Sequence, residues 1–121
     1  MTKQILIAEE FDLDYQNFEM IIQENTDFLP LRARSGIEAF HLIMVNYRIN
    51  CAILNINLPI LDGYEASKKI RTIRPHFPIF VVAEQNRIVD KEQLIAIGVN
   101  ELITTPIDTK QVIRLLKKYV R

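Results

Sequence analysis

With 121 residues, 49% of them apolar and 25% charged, the chain has the size and balance of one globular domain spanning 1–121, too short for two cores and too apolar for a disordered segment. Fifteen basic residues offset fifteen acidic ones, so no net field draws the protein to nucleic acid or to an anionic membrane. A single cysteine, Cys51, excludes an internal disulfide framework, and no run approaches the roughly 18 apolar residues of a membrane span.

The opening MTKQILIAEE breaks its apolar run with two glutamates, unlike the long apolar core and small-residue cleavage site of a signal peptide, so a cytoplasmic protein is expected. The first predicted strand, QILIA (4–8), delivers Glu9 and Glu10 at its carboxyl end. The second, FLPLRAR (28–34), alternates Leu29, Leu31 and Ala33 with Pro30, Arg32 and Arg34. A proline cannot donate to a ladder, so this strand belongs at the sheet's edge.

Ser35 and Glu38 then have the spacing of a capping box, ahead of Phe40, Ile43, Met44 and Tyr47 at helical intervals. The third strand, CAILN (51–55), ends on Asn55, and Cys51 reads as a small buried hydrophobe within it. Asp62 and Gly63 mark a turn into a helix with Ala66, Ile70 and Ile73 inward and a Glu65–Lys69 pair outside.

The fourth strand, PIFVVA (78–83), leads to Ala83 and Glu84. Asp90 and Gln93 open the next helix, where Leu94, Ile95, Ala96 and Ile97 follow one another and exceed what one inward stripe can bury. Gly98 suits its left-handed stop. The last strand, ELIT (101–104), delivers Thr104 and Thr105, and Asp108 with Gln111 opens a final helix striped by Val112, Leu115, Leu116 and Tyr119.

Short apolar runs alternating five times with helical patterns predict an α/β fold. The expected architecture is a flavodoxin-like (βα)5 doubly wound sandwich, with a five-stranded parallel sheet in order 2-1-3-4-5 and helices on both faces. Ligands of such sheets bind outside the carboxyl ends of the strands, which here collects Glu9, Glu10, Asn55, Ala83, Glu84, Thr104 and Thr105. His41 and His76 stand outside any motif and read as surface or helix-face histidines.

Over essentially its whole length the chain resembles a response-regulator receiver domain, the module of two-component signalling. NINLPILDGYEASKKIR is similar to that family's D-I-x-M-P-x-M-D-G-x-E-x-x-x-x-I-R segment; ILIAEE, PIFVVAE and GVNELITTPID match its other landmarks in order. The resemblance implies an aspartate nucleophile after strand three, an acidic pair that helps hold magnesium, a Ser or Thr after strand four and a Lys before a proline. The carboxylate attacks the phosphoryl group and the cations offset its charge.

By that resemblance Glu9 and Glu10 fall on the acidic pair, but Asn55 falls on the phosphoacceptor, Ala83 on the Ser/Thr and Thr105 on the Lys; Leu102 stands at the strand-five aromatic. An amide nitrogen, whose lone pair is delocalised, cannot form the acyl phosphate. The aspartate and the lysine are lost together, so the formal charge summed over the acidic pair, Asn55 and Thr105 is that of the family's pattern.

The chain is therefore expected to be a pseudo-receiver, not an enzyme, acting by contact with a protein partner such as a histidine kinase or output domain. The resemblance also points to homodimers through the helix 4, strand 5 and helix 5 face, and to a cis Thr105–Pro106 bond. The alternatives are a phosphorelay receiver with an unorthodox acceptor, such as Glu9, Glu10 or Asp62, and a small-molecule or metal-binding module in the same crevice. No cofactor is expected, with Mg2+ at Glu10 left open and Glu84 as a third carboxylate beside the pair.

Overall fold

A computed structural model describes residues 2–121. Strands and helices alternate as β1 (Gln4–Ala8), α1 (Asp12–Asn25), β2 (Leu29–Ala33), α2 (Gly36–Val45), β3 (Ile49–Asn55), α3 (Gly63–Ile73), β4 (Ile79–Glu84), α4 (Lys91–Ala96), β5 (Glu101–Thr105) and α5 (Thr109–Tyr119). The strands form one parallel sheet in the order β2-β1-β3-β4-β5. This is the doubly wound, flavodoxin-like arrangement that the alternation predicts, with Pro30 on the outermost strand.

The nearly continuous apolar strands follow from a sheet covered on both sides. Alternate residues feed opposite cores: Leu6, Ala8, Ala52, Leu54, Ile79 and Val81 pack with α2 and α3. Ile5, Ile7, Cys51, Ile53, Phe80, Val82 and Ile103 pack with α1 and α5. Burial pushes the Cys51 thiol up, leaving it a hydrophobe rather than a nucleophile.

Strand β3 begins two residues before the apolar run does. Gln4 pairs with Ile49 but Ile5 with Cys51, so Asn50 is an extra residue in the ladder. A polar residue at a register shift hides the strand's true start from pattern reading.

Helix ends behave largely as their sequences dictate. Ser35, Asp62 and Asp90 accept from the backbone N–H groups of Glu38, Glu65 and Gln93 at 3.1, 2.9 and 3.1 Å. Asp108 differs, accepting from Lys110 rather than Gln111. Gly98 has φ +101°, and the bond from Val99 N–H to the Leu94 carbonyl closes α4 in the Schellman manner.

Three helix-face expectations require correction. Met44 and Tyr47 are exposed, because α2 turns Ala39 and Ile43 inward and ends before Tyr47. Ile73, at the last turn of α3, is also exposed, while Ala66 and Ile70 are buried. Glu65 pairs with Lys68 at 3.9 Å, not with Lys69, whose ammonium lies 5.7 Å from the Phe40 ring.

Two ties fix the loops around this frame. The first turn of α2 donates from Gly36 and Ile37 to the carbonyls of Pro59 and Ile60, at 3.2 and 3.1 Å. That holds the β3–α3 loop although Ile60 and Leu61 have φ of 46° and 84°, a conformation that costs bulky residues energy. On the far side, Arg71 of α3 donates to the Gly98 carbonyl and to Asn100 Oδ1, and Asn100 Oδ1 also accepts from Ile79 N–H.

The α2 tie demands close approach. A Cβ on Gly36 would fall 1.7 Å from the Leu61 carbonyl oxygen, so Gly36→Ala is expected to lower unfolding free energy by about 2 kcal/mol. Urea denaturation followed by far-UV circular dichroism measures this loss.

Candidate functional site

The carboxyl ends of β1, β3, β4 and β5 meet at one rim, as a parallel sheet requires. Strand β1 ends beside β3 and delivers Glu9, whose backbone N–H bonds the Ala33 carbonyl at 3.1 Å. On β4 the ladder partner of Asn55 is Val82, which puts Ala83 one step beyond; on β5, Thr104 and Thr105 lie opposite Ala83 and Glu84. Glu9 and Ala83 are buried, Asn55 and Thr105 half-buried, and Glu10, Glu84 and Thr104 exposed.

Glu9 and Asn55 touch. Asn55 Nδ2 donates to Glu9 Oε1 at 2.8 Å, and Asn55 Oδ1 accepts from the Asn57 backbone N–H, also at 2.8 Å. Both ends of the amide are thereby satisfied, which fixes its orientation. An aspartate in this place would set an oxygen against the Glu9 carboxylate where the native residue sets a donor.

With Glu9 only 2% exposed, burial pushes its carboxyl up from the ordinary 4.5 to about 7, against the Asn55 hydrogen bond, with Asp14 adding repulsion and Arg32 opposing it. The cause is chiefly desolvation rather than crowding by like charges in the pair. The third carboxylate expected from Glu84 is not gathered in: among the described residues no three His, Cys, Asp or Glu side chains converge on one metal position.

Two arginines frame the rim, and pattern reading assigned neither to the site. Arg32 on edge strand β2 reaches over the end of β1, donating to the carbonyls of Glu9 at 3.2 and 3.3 Å and of Glu10 at 3.0 Å. It also pairs with Asp12 at 2.7 Å and stacks 4.9 Å from the Tyr15 ring. Arg32 and Arg34 hold the Asp12 carboxyl below its usual range. The available signal was register, since Arg32 pairs with Ile7, two residues before Glu9.

Arg87, in the β4–α4 loop, donates to Asn57 Oδ1. It bridges that loop to the one following Asn55. Nothing in its sequence neighbourhood announces this contact.

The donor set does not fit a divalent cation. Glu9 faces an amide nitrogen, Asn55 directs its oxygen to a backbone N–H, and Glu10 is left as the one free carboxylate of the acidic pair. Of the alternative acceptors, Asp62 caps α3 through Glu65 N–H and Glu9 is buried and bonded to Asn55, whereas Glu10 is exposed. Ala83 supplies no hydroxyl, and Thr105 precedes Pro106 across a cis bond. Leu102, opposite Val81, is half-buried on β5.

Comparison with known proteins agrees with the fold. The family model described as response regulator receiver domain matches residues 5–117. The polar-differentiation response regulator DivK of Brucella ovis is 28% identical, over 99% of this chain and 98% of its own. The receiver domain of sensor histidine kinase PA1611 from Pseudomonas aeruginosa, solved with a magnesium ion in its active-site cleft, superposes with TM-score 0.86 at 21% identity, covering 98% of each chain. A receiver domain protein from Clostridium thermocellum gives 0.89 at 18% identity, covering 98% and 94%.

The buried acid yields a pH prediction. A carboxyl that titrates near 7 folded and 4.5 unfolded binds its proton more tightly in the native state. Its contribution is complete below 4.5 and is lost as pH rises through about 7, up to about 3 kcal/mol. Glu9→Gln keeps an acceptor for Asn55 without the titration. Urea midpoints in chelator-containing buffer should therefore be similar for both proteins at pH 4.5 and should favour the variant increasingly toward pH 8.

Proposed function

The chain belongs to the response regulator receiver domain family of two-component signalling, and we propose that within it this protein is a pseudo-receiver, a protein-interaction module that does not pass through an acyl phosphate. The observation that carries the proposal is the 2.8 Å bond from Asn55 Nδ2 to Glu9 Oε1. By the resemblance Asn55 stands where the family's chemistry has an ionised nucleophile, and its neutral amide is engaged at both nitrogen and oxygen.

The neighbouring positions support the same reading. Ala83 has no hydroxyl with which to follow a phosphoryl group, Thr105 has no charge to meet one, and Leu102 replaces the strand-five aromatic that relays the change. On this reading magnesium has no part in the function, since Glu9 and Asn55 are bonded to each other and only Glu10 of the acidic pair is left free. The module has no catalytic turnover of its own, and it works in the cytoplasm.

Its output is contact with a protein partner, a histidine kinase or an output domain, through the α4, β5 and α5 surface. There Ile95 is 56% exposed and Ala96 is exposed beside it, while Leu94 is the one buried residue of α4. The same face suits a homodimer.

Radiolabelled acetyl phosphate with magnesium tests the reading. The native chain is expected to acquire no acid-labile phosphate, and Asn55→Asp alone to acquire little, because Ala83 and Thr105 remain. Combining Asn55→Asp, Ala83→Thr and Thr105→Lys should restore labelling. Stoichiometric labelling of the native chain would overturn the proposal, and peptide mapping would then reveal the acceptor.

A further inference from the structure

The pole of the sheet opposite the crevice carries a cleft of ≈ 530 Å³, within the usual range for small-molecule sites. It lies between the start of β3, the α3–β4 loop and the end of α5. Ile73, Pro75, Phe77, Pro78 and Val120 give it an apolar lining, and Arg74, His76 and Arg121 give it basic groups. No Asp or Glu side chain lines it, in a chain whose fifteen acids otherwise match its fifteen bases.

Arg74 is the informative member. Its guanidinium lies 4.6 Å from the Phe77 ring centroid and 5.8 Å from that of Tyr47, and Nη2 donates to the Ile49 carbonyl at 3.3 Å. Among the described residues Nη1 is buried without a hydrogen-bond partner, an uncommon state for a charged donor. The carbonyls of Arg74 and Pro75 in the same loop both accept from Arg71 Nη1, at 2.9 and 3.0 Å. Glu101, the acid next to α5, is held by Tyr119 Oη at 2.6 Å and by Lys118 at 3.9 Å.

We propose that this cleft binds a small organic anion, an apolar or aromatic body bearing one carboxylate or similar head group. The head meets Arg74, whose unpartnered Nη1 turns outward to reach it, with Arg121 adding charge, while the body rests on Phe77, Pro78 and Val120. The site is independent of the crevice at Glu9 and Asn55 and does not rest on the reading given for it.

The test titrates the isotope-labelled full chain with 2-naphthoate, with the uncharged 2-naphthamide and with inorganic phosphate, followed by amide NMR. Naphthoate is expected to give saturable shifts at Asn50, Arg74, His76, Phe77 and Val120. Naphthamide and phosphate should each bind at least about tenfold more weakly, since each lacks one half of the recognition. Arg74→Ala should weaken naphthoate binding by a similar factor; if that variant does not fold, the exposed Arg121→Ala with His76→Ala serves instead.

Equal affinity for naphthamide would reduce the cleft to an apolar patch, and equal affinity for phosphate would reduce it to unspecific attraction of anions. Shifts centred on Glu9 and Asn55 would place binding at the other pole. Each of these results, like absence of saturable shifts, overturns the proposal.

Discussion

A carboxylate buried under a neutral amide is the constraint around which the rim of this sheet is organised. Parallel strands bring β1 and β3 side by side, so their last residues must share a small volume with little water. Glu9 in that volume is tolerable only with a donor, and Asn55 supplies one at 2.8 Å. The carbonyl groups that follow on β1 find theirs in Arg32, reaching over from the edge strand. The result is a closed local network in which each buried polar group is answered by a neighbour in the chain.

On the reading proposed above, that closure separates this site from a phosphorylated receiver more sharply than the loss of a nucleophile does. A receiver's crevice must leave its carboxylates free for a cation and a phosphoryl group. Here the amide has both its oxygen and its nitrogen engaged, and Arg87 joins the loops on either side through Asn57. Replacing one residue would not reopen such an arrangement, because the bonds support one another.

The sequence makes the frame legible because the burial of each strand leaves a repetitive mark. Unbroken apolar runs at β1, β3 and β4, a proline on β2 and side-chain caps at Ser35, Asp62 and Asp90 together dictate the strand order and the positions of the rim residues. Asn50 is the instructive failure, since an extra residue in a ladder has no periodic signature. Arg32 and Arg87 were missed for a related reason: each acts across a distance of more than twenty residues, through a long side chain whose direction is settled only by packing. Glu84 was drawn into the site by its place at a strand end, although the exposed side chain does not join Glu9 and Glu10.

The Arg71 tie has a mechanical consequence. Its guanidinium joins the end of α3 to the turn that follows α4, and Asn100 carries the connection on to the first residue of β4. The turn after α4 is thereby held to α3 and β4 by a triangle of hydrogen bonds. At its other end α3 starts from Gly63, which sits so near the Asn55 carbonyl that a Cβ there would come within 2.4 Å. The outer turn after α4 and the floor of the crevice at Asn55 are thus braced by one and the same helix.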